Sequence, residues 1–567
     1  MEDSIEHMCE WCDLLNEEIL FYYRRGKHRK AEPQPDATFS VTVRFVNRTT
    51  TSPLELSISI ENSWSPSFLC IRDCEANHTR CPPPTAATLP IRVIDCVDVT
   101  CVRLFQRNGQ TPPAQYAALS YVWGEEQPHQ TTAARLPSYL QQIDTKYIPA
   151  TIKDAIKVTR ALGLRYLWVD AFCIVQDSKE DKARNIAQIR NIFRHSYITI
   201  IAANAKKVSD GFLNRMLLYN TPSTVPFRCP DSDDAVGTMY LQKGNPAPRE
   251  PINARAWCLE ERVLSSRALW YCSHTIQYEC QNGHKNVDGG GNMADPLDGV
   301  PRLPDRLFTP GLALNAIPTH GISIDADIKG VAENEENEVN KAWDNILTLY
   351  TRRTLTKPRD RLIALSGVVD YFAEFWGKRS KYIAGLWEHK LPYALLWYIS
   401  NGAIAARPAL YRAPSWSWAS VDGEVSYTII PQKGAIALNY DAVVIKCILK
   451  RTIWDPAEEE LYEIVDGVPV GASDESRSER GEVGFVSVDA KDELLMLRRE
   501  VSAAILAQTP NSLLGIVVVP VTSSELNKFS ERLSITHCMY RRIGWFTAPF
   551  CDRDNWLRTP HQTIHLI

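Results

Sequence analysis

The chain has 567 residues and a formal net charge of -4, from 63 basic and 67 acidic side chains. This length exceeds what one hydrophobic core usually supports, so two or three folded units are expected. The near balance of charge creates no overall field that would attract nucleic acid or anionic lipid, so we expect neither a nucleic-acid partner nor a membrane partner.

The first residues, MEDSIEHMCEWCDLL, lack the basic and apolar regions of a secretory signal. No run of about 18 apolar residues, the length that a membrane-spanning helix needs, follows them. We therefore expect a soluble, cytoplasmic protein. Its 15 cysteines are too sparse for a disulfide scaffold, so reduced, buried thiols are the expectation.

Residues 1–108 are predicted to form a separate N-terminal region. Apolar and polar residues alternate there with a period of two in two short runs, which is typical of a β-hairpin. The apolar members of the two runs are Val41, Val43 and Phe45, then Leu54, Leu56, Ile58 and Ile60.

Residues 109–283 have the alternating pattern of an α/β domain. A helix is predicted over 151–162, with Thr151 as its cap and Gly163 at its end. Strands are predicted over 165–169 and 197–203 on either side of a second helix, an order that predicts a parallel sheet. The stretch 204–254 is rich in proline and is predicted to be an insertion.

The remainder of the chain divides into a linker and a C-terminal region. Residues 284–340 contain three consecutive glycines and the acidic run 333–338, a composition of loop or disorder, so we predict a partly disordered linker. Residues 341–567 mix helical and strand-like runs and are predicted to form an α+β region.

A group of cysteines and a histidine near the N-terminus has the spacing of zinc ligands. Cys9 and Cys12 form one pair, and His78 and Cys81 form a second pair with Cys74 nearby. Four such side chains would complete a tetrahedral zinc set. Reduced structural thiols are the alternative, favoured because only one CxxC occurs. Zinc in the N-terminal region therefore stays a minority hypothesis.

Several common catalytic motifs are absent from the α/β segment. It contains no Walker loop, no GxGxxG after a strand, no HExxH and no GxSxG. These absences argue, in the same order, against nucleoside triphosphatases, dinucleotide-dependent dehydrogenases, zinc proteases and α/β-hydrolases. A Cys173/His195 dyad has no support from spacing, so Cys173 is predicted to be a buried thiol.

Four blocks of the sequence, taken together, resemble the fungal heterokaryon-incompatibility (HET) domain. They are TyrAlaAlaLeuSerTyrValTrpGly (116–124), AlaThrIleLysAspAlaIle (150–156), LeuTrpValAspAlaPheCysIleValGlnAsp (167–177) and ArgAlaTrpCysLeuGluGluArgValLeuSerSerArg (255–267). Three further pieces, at 89–95, 357–367 and 413–423, also resemble recurrent parts of long HET-domain proteins.

This resemblance implies a fold and a function. HET domains are distantly similar to Toll/interleukin receptor (TIR) domains, which implies a flavodoxin-like parallel sheet with helices on both faces. The implied function is that of a fungal allorecognition effector of programmed cell death, which self-associates through its HET domain and responds to an unknown protein activator. Plant TIR domains carry a TrpCysLeu-x-Glu motif whose glutamate cleaves NAD, and Glu261 stands at the matching position here.

The chemistry of NAD cleavage fits one carboxylate. The transition state resembles an oxocarbenium ion, and a carboxylate facing the ribose stabilises its charge, while the cationic nicotinamide leaves without a general acid. Glu261 is thus the candidate catalytic residue and NAD the candidate substrate. Candidate binding residues at the carboxyl ends of strands and in the motif are Tyr121, Trp123, Gly124, Asp170 and Trp257.

Other interpretations stay open. Glu261 would pair with Arg255 or Arg262 on a solvated helix face if it were structural. Trp123 would either stack on a ring of the ligand or belong to the core. Asp170 and Asp177 would bind Mg²⁺ or ribose, or cap the next helix. Whether the chain is an enzyme is therefore undecided, with a non-catalytic signalling and oligomerisation module, or a degenerate paralogue, as alternatives.

Overall fold

A computed structural model gives the fold. The residues that it describes are 44–45, 54–57, 66–98, 101–213, 223–228, 236–243, 249–273, 275–287, 302–308, 324–400, 404–427, 443–465, 468–469, 482–495, 499–521 and 539–567. Within them no helix is long and apolar enough to cross a membrane.

The elements up to residue 286 are mostly short strands and helices in alternation. In chain order they are β1 (Arg44–Phe45), β2 (Leu54–Ser57), α1 (Pro66–Asn77), β3 (Arg92–Asp95), β4 (Arg103–Gln106), β5 (Tyr116–Ser120), α2 (Leu136–Tyr139), α3 (Ala150–Ala161), β6 (Tyr166–Trp168), α4 (Asp170–Cys173), α5 (Lys179–Ile186), α6 (Ile189–His195), β7 (Ile198–Ile201), β8 (Ser223–Arg228), β9 (Val236–Lys243), α7 (Ala256–Leu264), β10 (Arg267–Tyr271), β11 (Ile276–Cys280) and β12 (Gly283–Asn286).

Beyond residue 300 most of the helices come first and most of the strands follow. In chain order they are α8 (Asp305–Phe308), α9 (Ile324–Thr351), α10 (Ser366–Trp376), β13 (Tyr382–Ile383), β14 (Leu386–Trp387), β15 (Trp397–Ile399), β16 (Val425–Tyr427), β17 (Val443–Asp455), β18 (Glu460–Val465), β19 (Val468–Pro469), β20 (Glu482–Val488), α11 (Lys491–Leu494), β21 (Arg499–Gln508), β22 (Leu513–Pro520), β23 (Met539–Ala548), α12 (Arg553–Arg558) and β24 (His561–Leu566).

The described residues fall into two compact units, and each unit is discontinuous in sequence. The first unit takes its residues from 1–182, 195–252 and 265–296. The second unit takes its residues from 183–194, 253–264 and 297–567. Helix α7, which carries the TrpCysLeu motif, therefore belongs to the second unit although the strands on both sides of it in sequence belong to the first.

The first unit contains a mixed sheet of eight strands in the order β12-β11-β10-β7-β5-β6-β3-β4. Its four central strands, β10, β7, β5 and β6, run parallel. The two strands at each edge run antiparallel to their neighbours. Short connections explain the β10–β11, β11–β12 and β3–β4 pairs, whereas β3 pairs with the distant strand β6. The predicted α/β class is confirmed, and the sheet is mixed, with a parallel centre and antiparallel edges.

The central strands are buried on both faces. Every residue of β5, β6 and β7 is buried, with Ala117 opposite Ile198 on one side and Leu167 on the other. Near-continuous apolar runs are typical of parallel strands, since helices cover both faces of such sheets. The sheet also extends beyond the predicted boundary at residue 109, because β3 and β4 come from residues 92–106.

The predicted N-terminal hairpin pairs as expected, and the insertion joins it. Phe45 of β1 lies opposite Leu54 of β2 in an antiparallel pair. Strand β2 then pairs with β9, and β9 pairs with β8, so that residues from 204–254 complete a four-stranded antiparallel sheet. Residues 41, 43, 58 and 60 of the predicted pattern lie outside the described residues.

Helix α3 confirms the helix predicted over 151–162, with an end that follows the expected chemistry. Gly163 has a positive φ of 73° just beyond it. The Gly163 amide donates to the Arg160 carbonyl, and the Leu164 amide donates to the Thr159 carbonyl at 3.0 Å. These two bonds form a Schellman motif, which glycine favours because it has no Cβ.

The second unit combines helices with a mainly antiparallel sheet in the order β19-β18-β20-β23-β22-β21-β17-β24. The acidic run 333–338, predicted to lie in a linker, is part of helix α9. Glutamate is a good helix former. The next turns of α9 bury Val339, Trp343, Ile346, Leu347 and Tyr350 on one face, which stabilises the helix by tertiary packing.

Candidate functional site

Three loops of the first unit meet at one edge of its sheet. Strands β5, β6 and β7 are parallel neighbours, so the loops that leave their carboxyl ends, 121–126, 169–177 and 202–213, emerge on the same side. Ligands of open α/β sheets bind at this edge, near the strand from which the order reverses, which here is β5. This carboxyl edge is the candidate site of the first unit.

Trp123 and Asp170 lie together at the carboxyl edge, as predicted. The indole N–H of Trp123 donates to Asp170 Oδ2 at 2.8 Å. The other carboxylate oxygen accepts from the Ala171 amide at 2.7 Å, and the Asp170 carbonyl accepts from the Gln176 amide group at 3.0 Å. Asp170 therefore orders two of the three loops, which is a structural role that the sequence did not reveal.

Gly124 lies where two loops approach closely. Its φ is +66°, and a Cβ placed there would lie 2.3 Å from the Lys206 carbonyl oxygen and 2.6 Å from Lys207 Cβ. The Val208 amide also donates to the Trp123 carbonyl at 2.9 Å. The close approach of the 202–213 loop thus requires the glycine, and its predicted role in binding a ligand stays a prediction.

Tyr121 is buried, and its hydroxyl contacts a side chain of the same loop. The Gln127 side-chain amide donates to the Tyr121 hydroxyl at 3.1 Å. Tyr121 is only 4% exposed. In this structure Tyr121 stabilises the loop through this hydrogen bond. Its predicted role in binding a ligand stays a prediction.

Thr151 and Asp154 do not cap α3 and instead hold the 202–213 loop. The Gly211 amide donates to Thr151 Oγ at 3.2 Å, and the Phe212 and Leu213 amides donate to Asp154 Oδ2 at 2.9 and 3.2 Å. The capping prediction was wrong because the two side chains turn towards another segment. Residues 204–213, assigned from sequence to the insertion, are therefore anchored by the 150–156 block.

The remaining acidic and thiol candidates have structural partners. Asp177 accepts from the Ala133 amide at 2.8 Å, while Ser178 Oγ accepts from the Asp181 amide at 3.1 Å and is the cap of α5. Ser178 thus takes the cap position that the sequence left open for Asp177. Cys173 is fully buried, and burial raises the pKa of its thiol to about 12, so it stays protonated at neutral pH.

Helix α7 places the two glutamates of its motif in different surroundings. Glu260 is 1% exposed and accepts a hydrogen bond from the Gly367 amide at the start of α10. Burial raises the pKa of Glu260 to about 8, so this carboxyl is protonated at neutral pH. Glu261 and Trp257 are partly exposed.

The helical period explains which glutamate is buried. Ala256, Leu259 and Val263 define the buried face of α7, and Glu260 lies within it. The sequence contained this signal, since a residue at i+4 from Ala256 shares its face. Sequence reasoning weighed only Glu261 and missed the structural carboxyl beside it.

Residues of the C-terminal part of the chain, including one recurrent piece, contact α7 in the second unit. The Ala256 amide donates to the Thr354 carbonyl, and the Arg353 guanidinium donates to the Arg255 carbonyl at 3.2 Å. Gly367, which contacts Glu260, ends the 357–367 piece. The helix with the candidate catalytic residue is thus held by the C-terminal part of the chain.

The predicted zinc ligands are brought together in part. Cys74, His78 and Cys81 lie in one cluster, and Cys280 is its fourth member. Sequence reasoning missed Cys280 because it lies about 200 positions away along the chain. Cys9 and Cys12 lie outside the described residues.

Comparison with known proteins identifies relatives of the segment that contains both candidate regions. A family model described as "Heterokaryon incompatibility protein (HET)" matches residues 116–261. Heterokaryon incompatibility protein 6, OR allele, of Neurospora crassa is 26% identical over 98 residues, which cover 16% of this chain and 14% of that protein. No solved structure matches the chain.

Proposed function

We propose that this chain, a HET-domain protein, is a heterokaryon-incompatibility effector that triggers cell death by cleaving NAD, with Glu261 as the catalytic carboxylate. The match of residues 116–261 to the HET family carries the proposal, because the Neurospora relative is named for incompatibility. Death follows from NAD depletion, and assembly through the HET domain activates the effector.

The order of the parallel strands supports the likeness to TIR domains. Numbered along the chain, β5, β6, β7 and β10 are the first to fourth parallel strands, and their order across the sheet is 2-1-3-4. Flavodoxin-like folds have the order 2-1-3-4-5. The fifth position differs, since antiparallel β11 occupies it here, and β3 and β4 extend the sheet beyond the second parallel strand.

The environments of the two glutamates support Glu261 over Glu260. A carboxylate that stabilises an oxocarbenium-like transition state must be ionised and must reach the substrate. Glu260 fails both conditions, because it is buried, protonated at neutral pH and bonded to the Gly367 amide. Glu261 is partly exposed on the same helix, so a substrate can reach it.

The test is release of nicotinamide from NAD by the purified full chain. Wild-type protein, concentrated to promote assembly, is compared with Glu261→Ala and Glu261→Gln. We expect both variants to lose at least about a hundredfold in rate, the order of effect for removal of a transition-state charge partner. Glu374→Gln, which neutralises an exposed carboxylate on α10, is the matched control and should retain activity.

A structural role of Glu261 is tested in the same series. If Glu261 were only a structural partner of Arg255 or Arg262, Arg255→Ala or Arg262→Ala would lower stability and activity as much as Glu261→Ala does. Our proposal expects both arginine variants to keep most of the activity. Equal nicotinamide release by wild type and Glu261→Ala, or none by assembled wild type, would overturn the catalytic proposal.

A second candidate function is a non-catalytic signalling module that recruits partners. The arrangement at the carboxyl edge favours it, since Trp123 and Asp170 bind each other and the 202–213 loop covers Gly124. The module predicts cell death without loss of NAD and an unchanged phenotype for Glu261→Gln. Cellular NAD measured during death therefore separates the two functions.

A further inference from the structure

A cluster of three cysteines and one histidine lies in the first unit, and none of its members belongs to the loops of the carboxyl edge. The ligand atoms of Cys74, His78, Cys81 and Cys280 all lie within 4.8 Å of one another. Cys74, Cys81 and Cys280 are buried, and the side chain of His78 is 14% exposed. The members come from the C-terminal half of α1, the turn after it and the end of β11.

We propose that Cys74, His78, Cys81 and Cys280 bind one structural Zn²⁺ ion. The donor set, three thiolates and one imidazole, is one that zinc selects in closed tetrahedral sites. All four positions are filled by protein atoms, which leaves no position for water or substrate. The ion therefore has a structural role, and the inference is independent of any catalysis by Glu261.

The distances fit a tetrahedral ion. Zinc bonds of about 2.3 Å to sulfur and about 2.0 Å to nitrogen place neighbouring ligand atoms roughly 3.5–3.8 Å apart. Cys81 Sγ lies 3.8 Å from His78 Nδ1, and Cys280 Sγ lies 3.3 Å from the same nitrogen. Small adjustments of side chains bring all four atoms into contact with one ion.

The outer partner of the histidine selects Nδ1 as the ligand. His78 Nε2 faces Asp73 Oδ2 at 3.7 Å, on the side of the ring away from the thiols. A zinc-bound histidine usually directs its second ring nitrogen to a carboxylate, which fixes the orientation of the ring. Asp73 is itself held by the Asn77 side chain at 2.7 Å and by Lys285 Nζ at 3.2 Å.

The surroundings also balance the charge of the loaded site. Three thiolates and one Zn²⁺ ion carry a net charge of -1, and binding releases the three thiol protons. The buried Arg267 interacts electrostatically with Cys74 and Cys81, and its guanidinium donates to the Pro82 carbonyl beside Cys81. A cation at this place favours the thiolate form of the ligands.

The ion would join two segments that flank the family-matched part of the chain. Residues 74–81 precede residue 116 and Cys280 follows residue 261, so the bond closes a loop around the whole matched segment. Closing a loop of this length removes entropy from the unfolded chain. Zinc binding therefore contributes directly to the stability of the first unit.

The test is the metal content of the full chain purified under reducing conditions without added chelator. We expect about one zinc per chain in the wild type and at least tenfold less in His78→Ala and Cys280→Ser. His78→Cys restores a four-thiolate site and should restore the zinc, which separates loss of a ligand from loss of the fold. Cys70→Ser, one turn earlier on α1 and equally buried, is the matched control and should keep the metal.

Two further measurements keep the proposal open to refutation. Asp73→Asn should keep the stoichiometry and weaken zinc about tenfold in competition with a chelator. Co²⁺ loaded in place of zinc should give the absorption of a tetrahedral thiolate complex in the wild type. The proposal would be overturned if the wild type contained no zinc and gave no such Co²⁺ spectrum. Full zinc in His78→Ala, or a disulfide among these cysteines under reducing conditions, would also overturn it.

Discussion

The two regions that carry the family motifs are built with different chemistry. At the carboxyl edge of the first unit, neutral donors join the loops by donating to carboxylates, as from the Trp123 indole to Asp170 or from the Phe212 amide to Asp154. In the second unit ionisable side chains are buried among other elements. Glu260 lies against the start of α10, and Arg542 is fully buried with Asp489.

This difference predicts that substitutions in the two regions change the free energy of unfolding by different amounts. A hydrogen bond from a neutral donor to a carboxylate contributes about 1.5–3 kcal/mol. Buried ionisable groups cost several kcal/mol when a partner is removed, and their protonation couples stability to pH. The buried groups Arg542 and Glu260 of the second unit should therefore respond more strongly to charge substitutions than the loop contacts of the carboxyl edge do.

The largest expected effect comes from the buried ion pair of the second unit. Arg542 donates to both oxygens of Asp489 at 2.9 and 3.0 Å and to the Trp397 carbonyl at 2.6 Å. Arg542→Met should lower the free energy of unfolding by about 3–5 kcal/mol in urea denaturation, because it leaves a buried carboxylate without its main partner. Arg451→Met, at an exposed pair with Glu500, should cost less than about 1 kcal/mol. Equal costs would remove the contrast between buried and exposed charge.

A smaller effect is expected where loops pack at the carboxyl edge. Gly124→Ala should cost about 1–2 kcal/mol from its positive φ and about 1–3 kcal/mol more from contact with the Lys206 carbonyl. Gly163→Ala has a similar φ of 73° and nothing within 4 Å of the new Cβ, so it should show only the first cost. Thermal unfolding of both variants measures the difference, and two equal losses would mean that the loops move apart freely.

The buried Glu260 carboxyl should make the stability of the protein depend on pH. Between the ordinary pKa of 4.5 and the raised pKa of about 8, folded Glu260 keeps a proton that the unfolded chain has released. Stability should therefore fall as pH rises through this window, by up to roughly 1.4 kcal/mol per pH unit. Glu260→Gln should flatten this dependence in urea unfolding at pH 5 to 8. Glu374→Gln, whose carboxylate is 60% exposed, should not, and a wild-type slope in Glu260→Gln would contradict the buried acid.

The smallest effect is expected from one partly exposed hydrogen bond. Trp123→Phe keeps an aromatic ring and loses the N–H that donates to the Asp170 carboxylate, so it should cost about 1.5 kcal/mol. Faster hydrogen exchange should be confined to the loops 121–126 and 169–177. A loss of several kcal/mol would contradict the account, because it would make this loop contact as costly to remove as the buried ion pair of the second unit.

Local patterns in the sequence predicted much of the first unit. Apolar runs placed the parallel strands, and Gly163 marked the end of α3, because these features depend on near neighbours. The antiparallel edges depend on β3, β4, β11 and β12, which lie outside the four recognised blocks. Thr151 and Asp154 have the spacing of a capping box, and only tertiary structure turns them towards residues 211–213.

The candidate sites were less predictable, since they combine distant residues. Trp123 and Asp170 were placed together because parallel strands share their carboxyl edge. Cys280 could not be joined to Cys74 from spacing, and the union of α7 with the start of α10 depends on Gly367 far along the chain. The acidic run 333–338 looked disordered, and the packing of the following turns makes it helical.

The central claim, an incompatibility effector that acts through Glu261, is tested most directly by inducible expression in a filamentous fungus. Viability and cellular NAD are followed together for wild type, Glu261→Gln and Glu374→Gln at matched protein levels. The account predicts that NAD falls before viability in wild type and Glu374→Gln, and that neither falls in Glu261→Gln. Death at an equal rate in Glu261→Gln, or full viability with wild type, would contradict it.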